Sequence, residues 1–344
     1  PVSSRNEQDL FNLMSVYLDV VFCPSIYKKP EIFMQEGWHY EFDPETGEVS
    51  YNGVVFSEMK GAYSDVERLM GDAADQLMFP DTCYGFSSGG RPLSITDLSY
   101  KQFIETHERF YHPTNARFFL DGHMDIDSVL EYIDGEYLCN YDYREPDFDF
   151  DVQKPCAGCK NVSFAPAQPG DTHAHMSMSK ILCSFDEIEK LYAAKILADY
   201  LTGSNEAPLK RAILEAGLAQ DVGVEITDGI FQPTVSLVVL NTYTEKFEAI
   251  RGAVPETAAR LAREGLDRSA LRASIERFAF SCREVTEPYG VELAIKALDG
   301  WLYGGDPMMH INNAWVFDSL REKLDGRYFE ELLLEMLADG GDKC

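Results

Sequence analysis

Residues 140–170 interrupt an otherwise regular succession of helix-like and strand-like segments, and this interruption constrains the fold most. The stretch is rich in Asp, Pro and Gly and has no apolar period, which is typical of a linker. A chain of 344 residues is also longer than a single core usually accommodates. The sequence therefore predicts a first domain over residues 1–143, a linker over 144–170 and a second domain over 171–344.

The first half of the chain is predicted to consist mainly of helices. Apolar residues at helical spacing predict a helix over residues 7–22, with Asn6 as its N-cap. The turn-rich run over residues 41–53 predicts a hairpin, and the pattern over residues 54–78 predicts one continuous helix. Three further helices are predicted over residues 30–38, 99–111 and 125–138, and one strand over residues 116–122.

The second half repeats the mixture of strands and helices. Strands are predicted over residues 173–185, 221–229 and 231–241, and amphipathic helices continue through residues 332–340. Two more helices, over residues 186–203 and 204–217, separate the first strand from the other two. Both halves thus fit an α+β class, with mixed or antiparallel sheets covered by helices. The similar order of elements permits two related domains.

The charge balance excludes some classes of partner. The chain has 58 Asp and Glu against 30 Lys and Arg, a formal net charge of −28, which disfavours nucleic acid and anionic membranes. Cationic or neutral partners are favoured, although a solubility surface explains the same excess. No run of about 18 apolar residues occurs. Eight Cys, several within apolar runs, predict reduced thiols and a cytoplasmic location.

The sequence contains no complete catalytic motif. It lacks the G-x-S-x-G nucleophile elbow, the phosphate-binding P-loop and a G-x-G-x-x-G fingerprint after a strand. None of its seven His belongs to H-E-x-x-H or H-x-x-E-H, the spacings that place two imidazoles beside a general base. Gly89 and Gly90 are followed by no phosphate-loop lysine, so they predict a turn.

One metal-binding pattern is present, although its spacing is unusual. Cys156 and Cys159 form a Cys-x-x-Cys pair, and His173 and His175 follow. Two thiolates and two imidazoles make a tetrahedral zinc site in many proteins. However, the two His are separated by one residue rather than three to five, and in a strand they would share one face. A linker with two incidental thiols is the alternative, and it is favoured.

Glu58 is the remaining candidate. A helical Glu is most often a solvated surface group. Here the neighbours Val54, Val55, Phe56 and Met59 favour burial, which would draw the carboxylate inward. Because a buried carboxylate needs a partner, and a cation would serve, Glu58 is a candidate metal ligand.

Residues 37–65, GWHYEFDPETGEVSYNGVVFSEMKGAYSD, resemble the segment that carries the distal zinc-binding glutamate of pitrilysin/insulinase-type metallopeptidases. The presequence-protease branch, which includes falcilysin-like enzymes, is the most similar. Tyr289 stands where the family usually has the Arg of Pro-Arg-Gly, so no role of that arginine is carried over. The resemblance continues, in the family's order, through residues 1–24, 82–125, 204–218 and 287–307.

The resemblance implies a fold and one site residue. Family enzymes contain four similar α+β domains, arranged as two halves that close round a chamber. This chain would comprise the latter part of the zinc-carrying domain, incomplete at its N-terminus, and the second, non-catalytic domain. Glu58 would be the third protein ligand of zinc, and the H-x-x-E-H motif would lie upstream of this chain, so no catalytic residue is assigned here. A solvated face is expected for Glu31, Glu36, Glu41 and Lys60.

The same resemblance implies a function. The longer parent would be a zinc metalloendopeptidase that degrades unstructured peptides with zinc-activated water. The acidic net charge would favour cationic peptides among them. This chain would be an internal segment, inactive by itself, with zinc absent or weakly bound. Its partners would be peptides and the remainder of its own chain, and an unpaired sheet edge permits a fragment dimer. The alternative is a non-catalytic structural or binding member of the same fold.

Overall fold

The computed structural model describes residues 1–146, 150–165 and 170–338. The chain forms two compact units. Unit 1 consists of Pro1–Asp65 and Ser87–Asp149, and unit 2 of Val66–Phe86 and Phe150–Cys344. The division expected from the sequence, with domains over residues 1–143 and 171–344 and a linker over 144–170, stays a prediction.

Among the residues that the structure describes, helices dominate both units, and each unit has one small antiparallel sheet. The α+β class is thereby confirmed. In chain order the first elements are α1 (Glu7–Phe22), α2 (Pro30–Glu36), β1 (His39–Phe42), β2 (Val49–Asn52), α3 (Val54–Ala62), α4 (Val66–Met78), α5 (Pro92–Ile95), α6 (Tyr100–Phe110) and α7 (Ile126–Glu136). The later ones are β3 (Ala174–Ile181), α8 (Ile188–Thr202), α9 (Pro208–Glu215), β4 (Asp221–Thr227), β5 (Thr234–Thr242), α10 (Phe247–Glu264), α11 (Arg268–Ser281), α12 (Tyr289–Trp301), α13 (Ala314–Lys323) and α14 (Tyr328–Leu333).

Local side chains fix the ends of several helices in unit 1. The Asn6 side chain accepts a hydrogen bond from the backbone N–H of Asp9 at 3.0 Å, which confirms the predicted N-cap of α1. Ser99 and Gln102 form a reciprocal capping box at the start of α6. These short-range contacts explain why the sequence located these helices well.

The prediction of one helix over residues 54–78 is wrong, because α3 ends at Ala62 and α4 begins at Val66. Both the backbone N–H and the hydroxyl of Ser64 donate to the Gly61 carbonyl, the hydroxyl at 2.6 Å. A serine that caps a carbonyl in this way competes with continuation of the helix. The apolar period is the same on both sides of the break, so it concealed the interruption.

The predicted strand over residues 116–122 is also wrong. These residues belong to no helix or strand, although their aromatic and apolar composition suits a strand. A strand needs a neighbour to satisfy its backbone groups. Among the described residues of unit 1, β1 and β2 pair with each other, so this segment has no strand beside it.

The core of unit 1 lies between α1 and α7. Met14, Leu18 and Phe22 of α1 pack against Val129 and Ile133 of α7. Their spacing of three and four residues is what places them on facing stripes of the two helices. A small helical core therefore supports the unit that carries Glu58.

Unit 2 has a larger core, built on a three-stranded antiparallel sheet in the order β3-β5-β4. The three strands agree with the strands predicted from the sequence. The central strand β5 is buried along most of its length, and α8 is buried on nearly all sides. Apolar residues of α10, α11, α13 and α14 complete this core. No helix among the described residues is long and apolar enough to cross a membrane.

Residues 150–165 lie within unit 2 without forming helix or strand. Gln153 is buried, and its backbone N–H donates to the Gln232 side chain at 2.7 Å. Its amide group donates to the Asp81 carboxylate at 3.0 Å. Parts of the predicted linker, residues 147–149 and 166–169, and the end of the last predicted helix, residues 339–340, lie outside the described residues.

Candidate functional site

Glu58 lies in the second turn of α3 and is exposed. Within residues 1–146, 150–165 and 170–338, no three His, Cys, Asp or Glu side chains are grouped so that they could hold a metal ion. Glu58 therefore contributes a single carboxylate to any such site. Its role as a zinc ligand stays a prediction.

Two of the apolar neighbours expected to be buried beside Glu58 are exposed. Val54 and Val55 lie at the surface of α3, whereas Phe56 and Met59 are half-buried. In an α-helix, positions three and four residues before Glu58 share its face. The expectation that this carboxylate is drawn inward is therefore wrong for the described chain, because the half-buried Phe56 and Met59 side chains of α3 lie on another side of the helix.

A glycine at the start of α3 sets the direction of the helix. Gly53 has a φ of 148°, and a Cβ added to it would lie 2.3 Å from the Gly37 carbonyl oxygen. Phe56 donates its backbone N–H to the same carbonyl at 3.4 Å. Since any side chain at Gly53 would collide with backbone, the chain passes directly from β2 into α3, and Glu58 follows one turn later.

The loop at Ser87–Gly90 supports α3 from beside Glu58. A Cβ on Gly89 would lie 2.3 Å from the Met59 sulfur, so any larger residue here would require the Met59 side chain to move. The backbone N–H of Gly90 donates to the Ser87 carbonyl at 3.0 Å, which confirms the predicted turn. The glycine pair that lacked phosphate-loop chemistry thus has a packing role next to the candidate ligand.

The hairpin before α3 has one aromatic and apolar face. In the β1–β2 pair, Tyr40 lies opposite Tyr51, and Phe42 lies opposite Val49. Alternation along a strand places these four side chains on the same face. Glu41, on the other face, accepts a hydrogen bond from Asn52 at 2.7 Å.

Ring contacts hold this face together. The Tyr40 and Tyr51 ring centroids are 5.2 Å apart, and Trp38 lies 5.5 Å from Tyr40 and 5.8 Å from Tyr51. The Trp38 indole N–H donates to the Leu98 carbonyl at 2.8 Å. Tyr51 also lies 5.9 Å from Phe56 of α3. The aromatic face is therefore continuous with the helix that carries Glu58.

The turn of the hairpin is fixed by one carboxylate. Asp43 accepts hydrogen bonds from the backbone N–H groups of Glu45 and Thr46, at 2.8 and 3.3 Å. These donors favour the ionised form and lower the pKa of Asp43. Asp43 is thus a structural turn residue rather than a catalytic acid.

The Cys-x-x-Cys and His-x-His residues make contacts of other kinds. The Cys156 thiol donates to the Leu77 carbonyl at 2.8 Å, and Cys159 is exposed. His173 pairs with Asp171 at 2.6 Å, and the His175 ring lies 5.4 Å from that of Phe164. These partners are consistent with packing and local hydrogen bonding.

A tyrosine pair in unit 2 had no sequence signal. The Tyr84 hydroxyl donates to the Tyr303 hydroxyl at 2.9 Å, which donates to the Gly229 carbonyl at 3.0 Å. The backbone N–H of Phe231 donates to Tyr84 at 3.0 Å. Burial, and then the bond from Tyr84, raises the pKa of Tyr303. These hydroxyls therefore stay neutral and link loops that are distant in sequence.

His310 is a second group that sequence reasoning missed. It is 6% exposed, and its Nε2 has no hydrogen-bond partner in the part of the chain that the structure describes. Burial lowers its pKa, and the positive charge of Lys195 lowers it further, although Asp228 acts in the opposite direction. A neutral core imidazole fits this environment. No periodic pattern distinguishes it from a surface His.

Comparisons with known proteins were consistent across sequence and structure. Residues 97–278, more than half of the chain, match the family described as the peptidase M16 inactive domain. Protein HypA of Clostridium perfringens is 39% identical over 97% of this chain and 35% of the relative. Presequence protease 1, chloroplastic/mitochondrial, of Arabidopsis thaliana is 31% identical over 94% of this chain and 31% of the relative.

A solved structure shows the same fold. The protease of Helicobacter pylori superposes with a TM-score of 0.62 over 84% of this chain and 68% of that chain, at 12% identity. At such low identity the likeness concerns the fold alone. The chain spans about a third of the length of the curated relatives it matches.

Proposed function

Because the chain belongs to the peptidase M16 family, we propose that it is part of a zinc metalloendopeptidase that degrades unstructured peptides in a closed chamber. Glu58 is the third protein ligand of its zinc. The observation that carries the proposal is the exposed face of α3, which presents Glu58 together with Val54 and Val55. A carboxylate that joins a metal whose other ligands lie outside this chain must be on an open face of its helix.

The Glu58 carboxylate fits the role of a third zinc ligand, but it does not make a zinc site alone. One carboxylate cannot hold zinc by itself, whereas two imidazoles and one carboxylate are a known catalytic set. When bound, zinc supplies a water whose pKa is near 7 and polarises the scissile carbonyl. This chain's own contribution is orientation, because the close approach of Gly53 to the backbone of Gly37 and Trp38 sets the direction in which α3 begins.

The test compares zinc content and peptide hydrolysis in the full-length protein and its Glu58→Gln variant. Loss of a ligand is expected to weaken zinc binding by more than the roughly 10–100-fold typical of changes around the ligands, with activity lost alongside. Glu7→Gln, an exposed glutamate of α1, is the matched control and should change neither. Undiminished zinc and activity in Glu58→Gln would remove the assignment.

The chain by itself is proposed to be inactive, because the H-x-x-E-H motif is absent from its sequence. Its proposed partners are peptide substrates, favoured when cationic by the net charge of −28, and the remainder of a longer polypeptide. Dimerisation of the isolated chain and a cytoplasmic location stay predictions.

A second candidate function is a non-catalytic, structural or binding member of the same fold. The match to a domain described as inactive favours it. The sequence of the longer polypeptide distinguishes the two candidates, since the enzyme requires H-x-x-E-H roughly a hundred residues before Glu58. Its absence there would leave the binding role.

A further inference from the structure

The aromatic face of the β1–β2 hairpin is exposed to an unusual degree. Tyr40, Phe42 and Val49 are 64%, 62% and 62% exposed, and Tyr51 is 46% exposed. An antiparallel sheet normally packs one face on a core, whereas here the apolar face lies open, as the polar face does. A contiguous exposed apolar face of this kind marks an interaction surface.

Three aromatic rings at this face are held by contacts within the chain itself. Tyr40 and Tyr51 contact each other and Trp38, and Trp38 is held by its hydrogen bond to the Leu98 carbonyl. Ordered aromatic side chains lose little conformational entropy on binding. The face is therefore suited to contact apolar side chains of a flexible partner.

The surroundings of this face specify the charge of the partner. Residues 28–60, which comprise the hairpin with α2 and most of α3, contain seven Asp and Glu against three Lys, Lys28, Lys29 and Lys60, and all seven carboxylates are exposed. Among the described residues, no ion pair involves any of the seven. They are Glu31, Glu36, Glu41, Asp43, Glu45, Glu48 and Glu58.

We propose that the hairpin face binds a basic, apolar segment of a peptide. The apolar side chains of that segment lie on Tyr40, Phe42, Val49 and Tyr51. Its Lys or Arg side chains pair with the exposed carboxylates near the hairpin other than Glu41, which lies on the opposite face. Complementary charge of this kind guides encounter and orients the bound segment. The inference rests on the proposed function, since it assigns the docking place of that function's peptide substrates.

The charge argument disfavours other occupants. A second copy of the chain would carry the same seven carboxylates and the same net charge of −28 to the face, so like charges would meet. An anionic membrane surface is repelled for the same reason. A basic peptide is the occupant that satisfies both the apolar face and its charged border.

The test is binding of a fluorescent Lys/Leu peptide to full-length protein treated with a zinc chelator, so that zinc-dependent cleavage does not interfere and all seven carboxylates are kept. Tyr40→Ser combined with Tyr51→Ser is expected to weaken binding about tenfold or more, as loss of aromatic anchors does elsewhere. Tyr17→Ser is the matched control, because Tyr17 of α1 is 46% exposed, like Tyr51. Unchanged binding in the hairpin variant would overturn the inference.

A second variant protects the test against a misfolded hairpin. Glu45→Gln with Glu48→Gln leaves the aromatic rings in place, and it should weaken binding of the basic peptide and reduce its dependence on salt. A Glu/Leu peptide should bind poorly to every protein. Equal binding of the two peptides, or variants that alter only the oligomeric state, would contradict the inference.

Hydrolysis separates this inference from the proposed function. A protein that cleaves peptides but binds them equally well with an altered hairpin keeps the proposed function and loses the docking site. A protein that binds peptides through the hairpin but shows no zinc-dependent cleavage keeps the docking site and loses the proposed function.

Discussion

The sheets of the two units are both antiparallel, but one is buried and the other is exposed to solvent. In unit 2 the central strand β5 is buried along most of its length beneath helices. In unit 1 the β1–β2 hairpin is almost wholly exposed. Burial of apolar surface stabilises the first sheet, whereas backbone geometry and ring contacts hold the second. Apolar residues in strands therefore build the core of unit 2 and a surface in unit 1.

The largest expected effect tests burial in the two sheets. Leu237 of β5 is 1% exposed, and Leu237→Ala should lower the free energy of unfolding of unit 2 by about 2–5 kcal/mol, because it leaves a cavity. Val49→Ala in β2 should change stability by less than about 0.5 kcal/mol. Urea unfolding measures both. A similar loss in the two variants would show that the hairpin is also held by burial.

A smaller effect tests the backbone geometry of the hairpin. Gly53→Ala places a Cβ against the Gly37 carbonyl at a positive φ, which should destabilise the junction of β2 and α3 by about 1–3 kcal/mol. Gly61→Ala in the same helix meets nothing within 4 Å and should stabilise by about 0.5–1 kcal/mol. Hydrogen exchange of the β1 and β2 amides reports the difference. Equal protection in the two variants would contradict a geometric origin.

The smallest effect is a change of pH dependence in unit 2. His310 has its pKa lowered below 6.5, first by burial and then by Lys195. The folded state therefore binds fewer protons than the unfolded state, so this contribution to stability is present above pH 6.5 and is lost as the pH falls toward the folded pKa. His310→Gln should flatten that decline in urea unfolding between pH 7.5 and 5.5. Asp43→Asn, in the hairpin, should leave it intact.

Much of the fold was predictable because its signals are local. The Asn6 cap and the hairpin depend on residues within a few positions of one another. The three strands of unit 2 were found from their own composition, although β3 pairs with the distant strand β5. The break after Ala62 was missed because the capping contacts of Ser64 do not alter the apolar period. The segment over residues 116–122 was misjudged because a strand requires a partner that composition does not report.

The sequence identified the candidate residue, Glu58, but it did not predict which of the neighbouring side chains are exposed. Resemblance singled out Glu58, and the family match agrees with the resemblance. The exposure of Val54 and Val55, the aromatic face of the hairpin and the buried His310 depend on which helices and loops pack nearby. Tertiary contacts decide these features, so a pattern in one segment cannot report them.

By itself the sequence determined the family, the α+β class and the position of a carboxylate at the start of a helix. Those properties reside in residue types and short spacings, which survive without knowledge of distant neighbours. The tertiary structure alone decided which apolar residues became core and which became surface. The physical reason is that burial depends on what packs against a side chain, and those partners come from elsewhere in the chain.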